Sequence, residues 1–275
     1  MPEEFFTRGP SREDAPAGID TSVAHIARVY DYWLGGKDNF AADREAAEQA
    51  LAARPGLRGD ARANRAFLAR AVRYLTAEAG IRQFLDIGTG IPTANNTHQV
   101  AQAEAPTARV VYVDNDPMVL VHARALLTSS PEGACAYVDA DARDTSTILD
   151  QAAQTLDMTQ PIALVLLAIM HFIPDADDPY AVVGRLVDAL PAGSYLVLSH
   201  PASDIAAESV AEAAGRLNRL MAQRGTMRNQ AEVAKFFEGL ELLEPGVARV
   251  AQWRPESEMA GASPAALWCG VAIKR

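Results

Sequence analysis

At 275 residues, 49% of them hydrophobic, the chain can form one large domain or one domain with an appendage, and it has apolar content for a substantial core. A net charge of −10 and a pI near 5.0 disfavour a nucleic-acid partner, because phosphate-backbone binding relies on clustered Lys and Arg. Cys135 and Cys269 lie far apart without CxxC or metal-ligand spacing, so they read as buried thiols in a reducing, cytoplasmic setting, and no metal site is expected.

Residues 1 to 18, rich in Pro, Gly and charge, read as a surface arm. The opening lacks the basic and apolar regions of a secretory signal, and no apolar run is long enough to cross a bilayer. A helical region begins at Asp20 or Thr21, a second runs from Asp43 to Ala53, and a third from Asp60 to Ala79, where Gly80 ends it. The segment Tyr30-Asp31-Tyr32-Trp33-Leu34-Gly35-Gly36-Lys37-Asp38-Asn39-Phe40 is odd for a plain helix. Its paired glycines predict a helix end at Gly35 or Gly36 and a tight turn. Either the aromatics merely dock these helices, or the segment is a lid over a ligand with Tyr32 or Asn39 facing inward. On the third helix Arg62, Asn64 and Arg65 either reach a substrate or form a solvated face.

From Arg82 onward strand and helix signals alternate, with strands near 82–87, 109–114, 134–139, 162–168 and 194–200. Such alternation predicts parallel strands joined by right-handed crossovers with helices on both faces. A helix follows from about Ile205 to Gln223, and Ala266 to Ile273 returns to strand character as part of an antiparallel final pair. The expected organisation is an N-terminal arm and helical lid over 1–80 and a ligand-binding α/β domain over 81–275.

The first strand runs into Asp86-Ile87-Gly88-Thr89-Gly90-Ile91-Pro92, and the second ends Val111-Tyr112-Val113-Asp114. Glycines let a backbone approach a ligand closely, and an acidic side chain at the next strand end accepts both hydrogen bonds of a ribose diol. The dinucleotide fingerprint requires a third glycine where this chain has Thr93, which weakens an NAD-dependent oxidoreductase reading. The S-adenosylmethionine version carries an acidic residue two before the first glycine, and Asp86 stands there, placed to bond the cofactor's ammonium group. Proline at 92 suits the first turn of the following helix. The bland alternative is an ordinary strand-to-helix turn. Asp141 and Ala142, past the third strand, are candidates for the adenine amino group and ring nitrogen; the competing role for Asp141 is a helix cap, for which Asp144 is better placed. The fourth strand delivers Ala168-Ile169-Met170-His171 to the same sheet edge, with Ala168 a further cofactor contact.

Thr21 through Phe40, Asn64-Arg65-Ala66-Phe67, Phe84 through Pro92 and Val113-Asp114-Asn115-Asp116-Pro117 together resemble one S-adenosylmethionine-dependent methyltransferase family, long catalogued as a domain of unknown function. The resemblance spans nearly the whole chain. It implies a class I methyltransferase fold: a doubly wound, mostly parallel, seven-stranded sheet with an antiparallel last strand and an N-terminal helical lid. It also implies that Asp86, Gly88, Thr89 and Gly90 hold the methionine end, Asp114 the ribose, Asn115 the adenine edge, and Asp141 with Ala142 the adenine.

No Asn-Pro-Pro-Tyr follows the fourth strand, which disfavours amide-nitrogen and nucleic-acid-base methylation and favours a small-molecule acceptor. His171 and His200 both follow predicted strand ends and are candidate bases. The competing roles are loop ordering or cofactor contact for His171 and a turn cap before Pro201 for His200. A non-catalytic, cofactor-binding protein is the alternative function.

Overall fold

The computed structural model describes residues 20–126 and 128–275, with the side chains of 123–127 left aside. The expected N-terminal arm lies outside the described residues. Three helices come first: α1 (Ile26–Leu34), α2 (Ala41–Ala53) and α3 (Leu57–Ala77). Strands and helices then alternate as β1 (Gln83–Ile87), α4 (Thr97–Glu104), β2 (Arg109–Asp114), α5 (Pro117–Leu126), β3 (Ala134–Asp139), α6 (Thr145–Ala152), β4 (Ala163–Leu167), α7 (Pro179–Asp188) and β5 (Tyr195–Pro201). After α8 (Ala207–Leu220) and α9 (Gln230–Ala234) come β6 (Glu241–Leu242), β7 (Ala248–Arg249), α10 (Glu258–Gly261) and β8 (Leu267–Ile273).

The strands form one sheet in the order β3-β2-β1-β4-β5-β8-β6, with β7 also on β8. The first five are parallel, and β8 inserts antiparallel between β5 and β6, pairing Tyr195 with Ile273. The eighth strand beyond the expected seven is a two-residue addition and leaves the doubly wound layout unchanged.

Period-two alternation splits the sheet's side chains between two cores. Leu85, Ile87, Val111 and Leu164 meet Ile148 of α6 and Val182 and Leu186 of α7 on one face. Phe84, Val110, Tyr112 and Val165 meet Phe67, Val72 and Leu75 of α3 and Val100 of α4 on the other. Each fully buried apolar side chain on these faces contributes about 1.5–3 kcal/mol. Trp253 is also fully buried, with the rings of Phe67 and Tyr74 edge-on at 5.5 and 5.9 Å. Arg70 of α3 donates to the Trp253 and Val250 carbonyls at 3.0 and 2.6 Å. A boundary after residue 80 would cut through this core, so α3 belongs with the sheet. α1 and α2 pack with α8 and with the start of α3 through Val29, Trp33, Ala47, Ala50, Ala61 and Ala213.

Three further expectations are corrected. The first helix starts at Ile26, not at Asp20 or Thr21, because Ser22 turns back to donate to Asp20 at 2.9 and 2.6 Å and Ala24 pairs with Met221 as a bridge. Pro92 lies in a loop instead of a first helical turn. The helix waits for Asn96, whose N–H donates to Gln99 Oε1 at 2.9 Å in a capping box. Cys135 is only half-buried while Cys269 is buried, and both are free thiols.

A candidate cofactor site at the sheet switch point

Because β1 has β2 on one side and β4 on the other, the winding reverses between β1 and β4, and a crevice opens at their carboxyl ends. A cavity of about 500 Å³ fills that crevice. Asp86, Gly88, Thr89, Gly90, Asp114, Asn115, Asp141, Ala142 and Ala168 all line it, and α1 covers it with His25, Ile26 and Tyr30. The sequence reading thus brings its nine cofactor residues to one wall system, from four separate loops.

Gly88 has φ +75, and a Cβ there would stand 2.6 Å from the Ile169 side chain, so glycine is required where the β1 and β4 loops touch. Gly88 donates to the Val113 carbonyl at 2.8 Å, tying the turn to β2. Gly90 donates to Asp114 Oδ2 at 2.8 Å, and Asp116 N–H donates to Asp114 Oδ1 at 3.0 Å. The Asp114 carboxylate is therefore held by backbone on both oxygens while its remaining lone pairs face the cavity region. Burial raises its pKa above the usual carboxylate range, partly offset by those two N–H groups.

Asp86 is buried to the same degree and accepts from Thr97 Oγ1 at 2.6 Å. Burial pushes its pKa up to about 6, against the pull of Thr97 and the Arg65 charge. A carboxylate so short of counter-charge is complementary to a cation. Arg65 donates to the Ala94 and Asn95 carbonyls at 3.1 and 3.0 Å and so holds the loop after the glycine turn. Asp141 is engaged by Arg143, whose Nε and Nη2 donate at 2.8 and 2.7 Å, and these bonds lower its pKa. The Ala142 N–H donates to no described group.

The lid expectation needs correction at the residue level. Tyr32 turns outward and donates to Glu48 on α2. Asn39 is buried but donates to Asp31 Oδ2 at 2.8 Å and does not line the crevice. Tyr30 is the aromatic that faces the cavity, its hydroxyl donating to the Ala61 carbonyl at 3.0 Å and accepting from Asn64 at 3.3 Å. Its position four residues after Ile26 on one helix face was the available signal. Asn64 is also buried and accepts from Ser199 Oγ at 2.6 Å, and Ser199 Oγ accepts from Ala168 N–H at 3.1 Å. Arg62 is exposed. At the start of α1, His25 Nδ1 lies 2.8 Å from Asp116 Oδ2, and the His25 and Phe40 N–H groups donate to buried Asp43 at 2.9 and 2.8 Å. These contacts latch α1 and α2 to the loop that carries Asp114.

The two histidines separate. His200 is fully buried, bonds the Pro201 carbonyl through Nδ1 at 2.9 Å and accepts from Arg228 through Nε2 at 2.9 Å. Burial, with Arg228 alongside, lowers its pKa to about 3. It lines neither the crevice nor the smaller cavity beside it, and the bond it makes is that of the turn-capping role. His171 is buried too, with its pKa held well below the ordinary value by burial and by the neighbouring His200 and Arg228. It lines a second, smaller cavity next to the first.

The chemistry of the walls tests the cofactor. A pyrophosphate would need a helix N-terminus at the glycine turn, but α4 begins at Thr97 and the crevice presents the carboxylates of Asp86 and Asp114. An adenosyl sulfonium with an ammonium tail would offer those carboxylates a cation and a diol. Fold and site together define a class I, S-adenosylmethionine-dependent methyltransferase.

The chain belongs to the S-adenosyl methyltransferase family, whose sequence profile matches residues 12–275. A crystal structure of a DUF574 family protein from Streptomyces avermitilis is 48% identical, covering 93% of this chain and 99% of that one with a TM-score of 0.90. A provisionally assigned methyltransferase from Thermobifida fusca is 42% identical, covering 94% and 98% at a TM-score of 0.86. The plantazolicin methyltransferase BpumL, in complex with a desmethyl substrate analogue and S-adenosylhomocysteine, shares the fold at 11% identity and a TM-score of 0.52 over 90% of this chain and 96% of that one. A search of curated proteins finds no match. No helix among the described residues is long and apolar enough to cross a membrane, and no metal-binding cluster is found among them.

Proposed function

We propose that the chain methylates a small molecule by in-line transfer, with the acceptor seated beneath α1 and α8 and His171 taking its proton. The carrying observation is the convergence of nine residues on one crevice, with a second cavity against it. In this reading Asp86 holds the ammonium group, Gly88 to Gly90 the methionine backbone, Asp114 the ribose, Asn115 the adenine edge, and Asp141 and Ala142 the adenine. Ala168, in a left-handed conformation at φ +51, turns the chain between the two cavities and lines both. When bound, S-adenosylmethionine supplies a methyl group already activated by a positively charged sulfur. The chain's share is then alignment, which is worth up to about 7–11 kcal/mol, and exclusion of water by α1. With the donor so held, the acceptor's lone pair would form the new bond as the carbon–sulfur bond broke and its electron pair left with sulfur.

Net charge supports a small acceptor over a nucleic acid. The test supplies donor labelled in the methyl group together with a whole-cell extract of the source organism. Label should enter the small-molecule fraction and depend on the enzyme; label confined to protein or nucleic acid would overturn the small-acceptor reading.

A further inference from the structure

The second cavity, about 110 Å³, shares Ile26, Tyr30, Ala168 and Phe172 with the cofactor crevice. Most of its wall is apolar, including Trp33, Leu57, Leu217, Met221, Met227 and Leu267. What its polar groups do is informative, because a buried polar atom without a partner is costly and rarely kept. Arg54 donates to Asp60 at 2.8 and 3.1 Å, and Asp60 also accepts from the Ala266 N–H at 3.1 Å. Asn218 spends both ends of its amide on Gly225, at 3.1 and 2.8 Å. The Tyr30 hydroxyl is answered by Ala61 and Asn64. His171 differs: neither ring nitrogen has a hydrogen-bond partner among the described residues, and while Nδ1 is sealed in the packing, Nε2 keeps accessible surface on the side that lines the cavity.

We propose that the methyl acceptor is an uncharged, largely apolar molecule, or the apolar end of a larger one, that fills this cavity and donates one hydrogen bond to His171. The inference rests on the reading above that the larger crevice holds S-adenosylmethionine. Three observations carry it. The two cavities share a wall at Ala168 and Phe172, so an occupant of one lies against an occupant of the other. The only charged pair in the wall is already neutralised within itself, so an ionic occupant would be buried without a counter-charge. The volume is of the same order as that of an apolar cavity of about 150 Å³ that accepts benzene, which sets the occupant's scale at about one six-membered ring.

The unpartnered nitrogen then supplies the single polar contact. Burial keeps the His171 ring neutral at physiological pH, which leaves one ring nitrogen free to accept. A weak base suffices, because an oxygen or nitrogen that is bonding to the methyl carbon has become strongly acidic. Its proton would pass to Nε2 as the carbon–sulfur electron pair left with sulfur.

The probe is phenol, compared with toluene, which has the same shape and no donor, and with benzoate, which is charged. Met221 and Met227 lie in the wall, whereas Met118 is packed elsewhere and Met259 is exposed, so methyl-labelled methionine reports the site by NMR. With S-adenosylhomocysteine present, phenol should shift Met221 and Met227 but not Met118 or Met259. It should bind about fivefold more tightly than toluene, as one neutral hydrogen bond allows, while benzoate should not bind. In His171→Phe the preference for phenol over toluene should vanish. Equal binding of phenol and toluene to the wild type, tighter binding of benzoate, or unmoved Met221 and Met227 would each overturn the proposal without recourse to the variant. Calorimetry with S-adenosylhomocysteine separates the two readings: failure of that ligand to bind sinks the larger crevice's assignment, and its binding beside silent methionines sinks only the acceptor site.

Discussion

Asp86 is a carboxyl whose ionised form is unfavourable for the fold and which, in the proposed function, binds the ligand's ammonium group. Its carboxyl, raised to about 6 by burial, contributes stability that is fully present below the unfolded-state value of 3.8 and lost as pH rises through 6. Asp86→Asn should therefore stabilise the ligand-free protein at pH 7 by about 1–3 kcal/mol in urea denaturation. The same variant should bind S-adenosylhomocysteine on the order of tenfold more weakly, the usual size of a lost charge-assisted hydrogen bond. Near pH 6 an incoming ammonium group favours the ionised carboxylate, so binding should release protons. Titrations in buffers of different ionisation enthalpy measure that release, and Asp86→Asn should abolish it. The carboxylate positions were legible in the sequence because strand ends and glycine spacing fix them. The inward aromatic was not, because Tyr30 and Tyr32 sit two residues apart on one helix and only the packing of α2 against Tyr32 decides which turns outward.

At the scale of elements, the odd Tyr30 to Phe40 string resolves into a closed local structure. Gly35 caps α1 at φ +88, and the Asp31 carboxylate accepts from Asp38 N–H at 3.0 Å and from Asn39. Gly36 packs so closely on it that a Cβ would lie 1.8 Å from Asp31 Oδ1. Gly36→Ala should force that carboxylate away, costing about 1–3 kcal/mol for the donors it leaves unpaired, and should speed hydrogen exchange in α1 and α2 before the sheet is affected. Unchanged exchange in α1 would refute the packing role. The helix end was readable from the paired glycines. The start of α4 was not, since Pro92 and Asn96 are both valid helix-entry signals and the choice depends on Arg65 reaching across from α3 to hold the loop between them.

For the whole molecule, the alternation of strands and helices made the doubly wound sheet legible, down to the antiparallel last strand. Its division into parts was less so, because the amphipathic pattern of α3 is the same whether the helix covers a ligand or a sheet. Phe67 and Trp253 settle the matter by packing together against that sheet. Phe67→Ala should lower global stability by about 3–5 kcal/mol in a single cooperative transition, whereas a detachable lid would melt separately. All of these contacts border the crevice at the sheet switch point, where we propose that the adenosyl sulfonium binds. The most direct measurement is calorimetric titration of the purified chain with S-adenosylhomocysteine, alongside NAD and the Asp114→Asn variant. One-to-one binding that NAD does not reproduce, and that weakens on the order of tenfold or more in Asp114→Asn, is the expected result. Absence of heat at millimolar ligand, or equal affinity in the variant, would contradict the site.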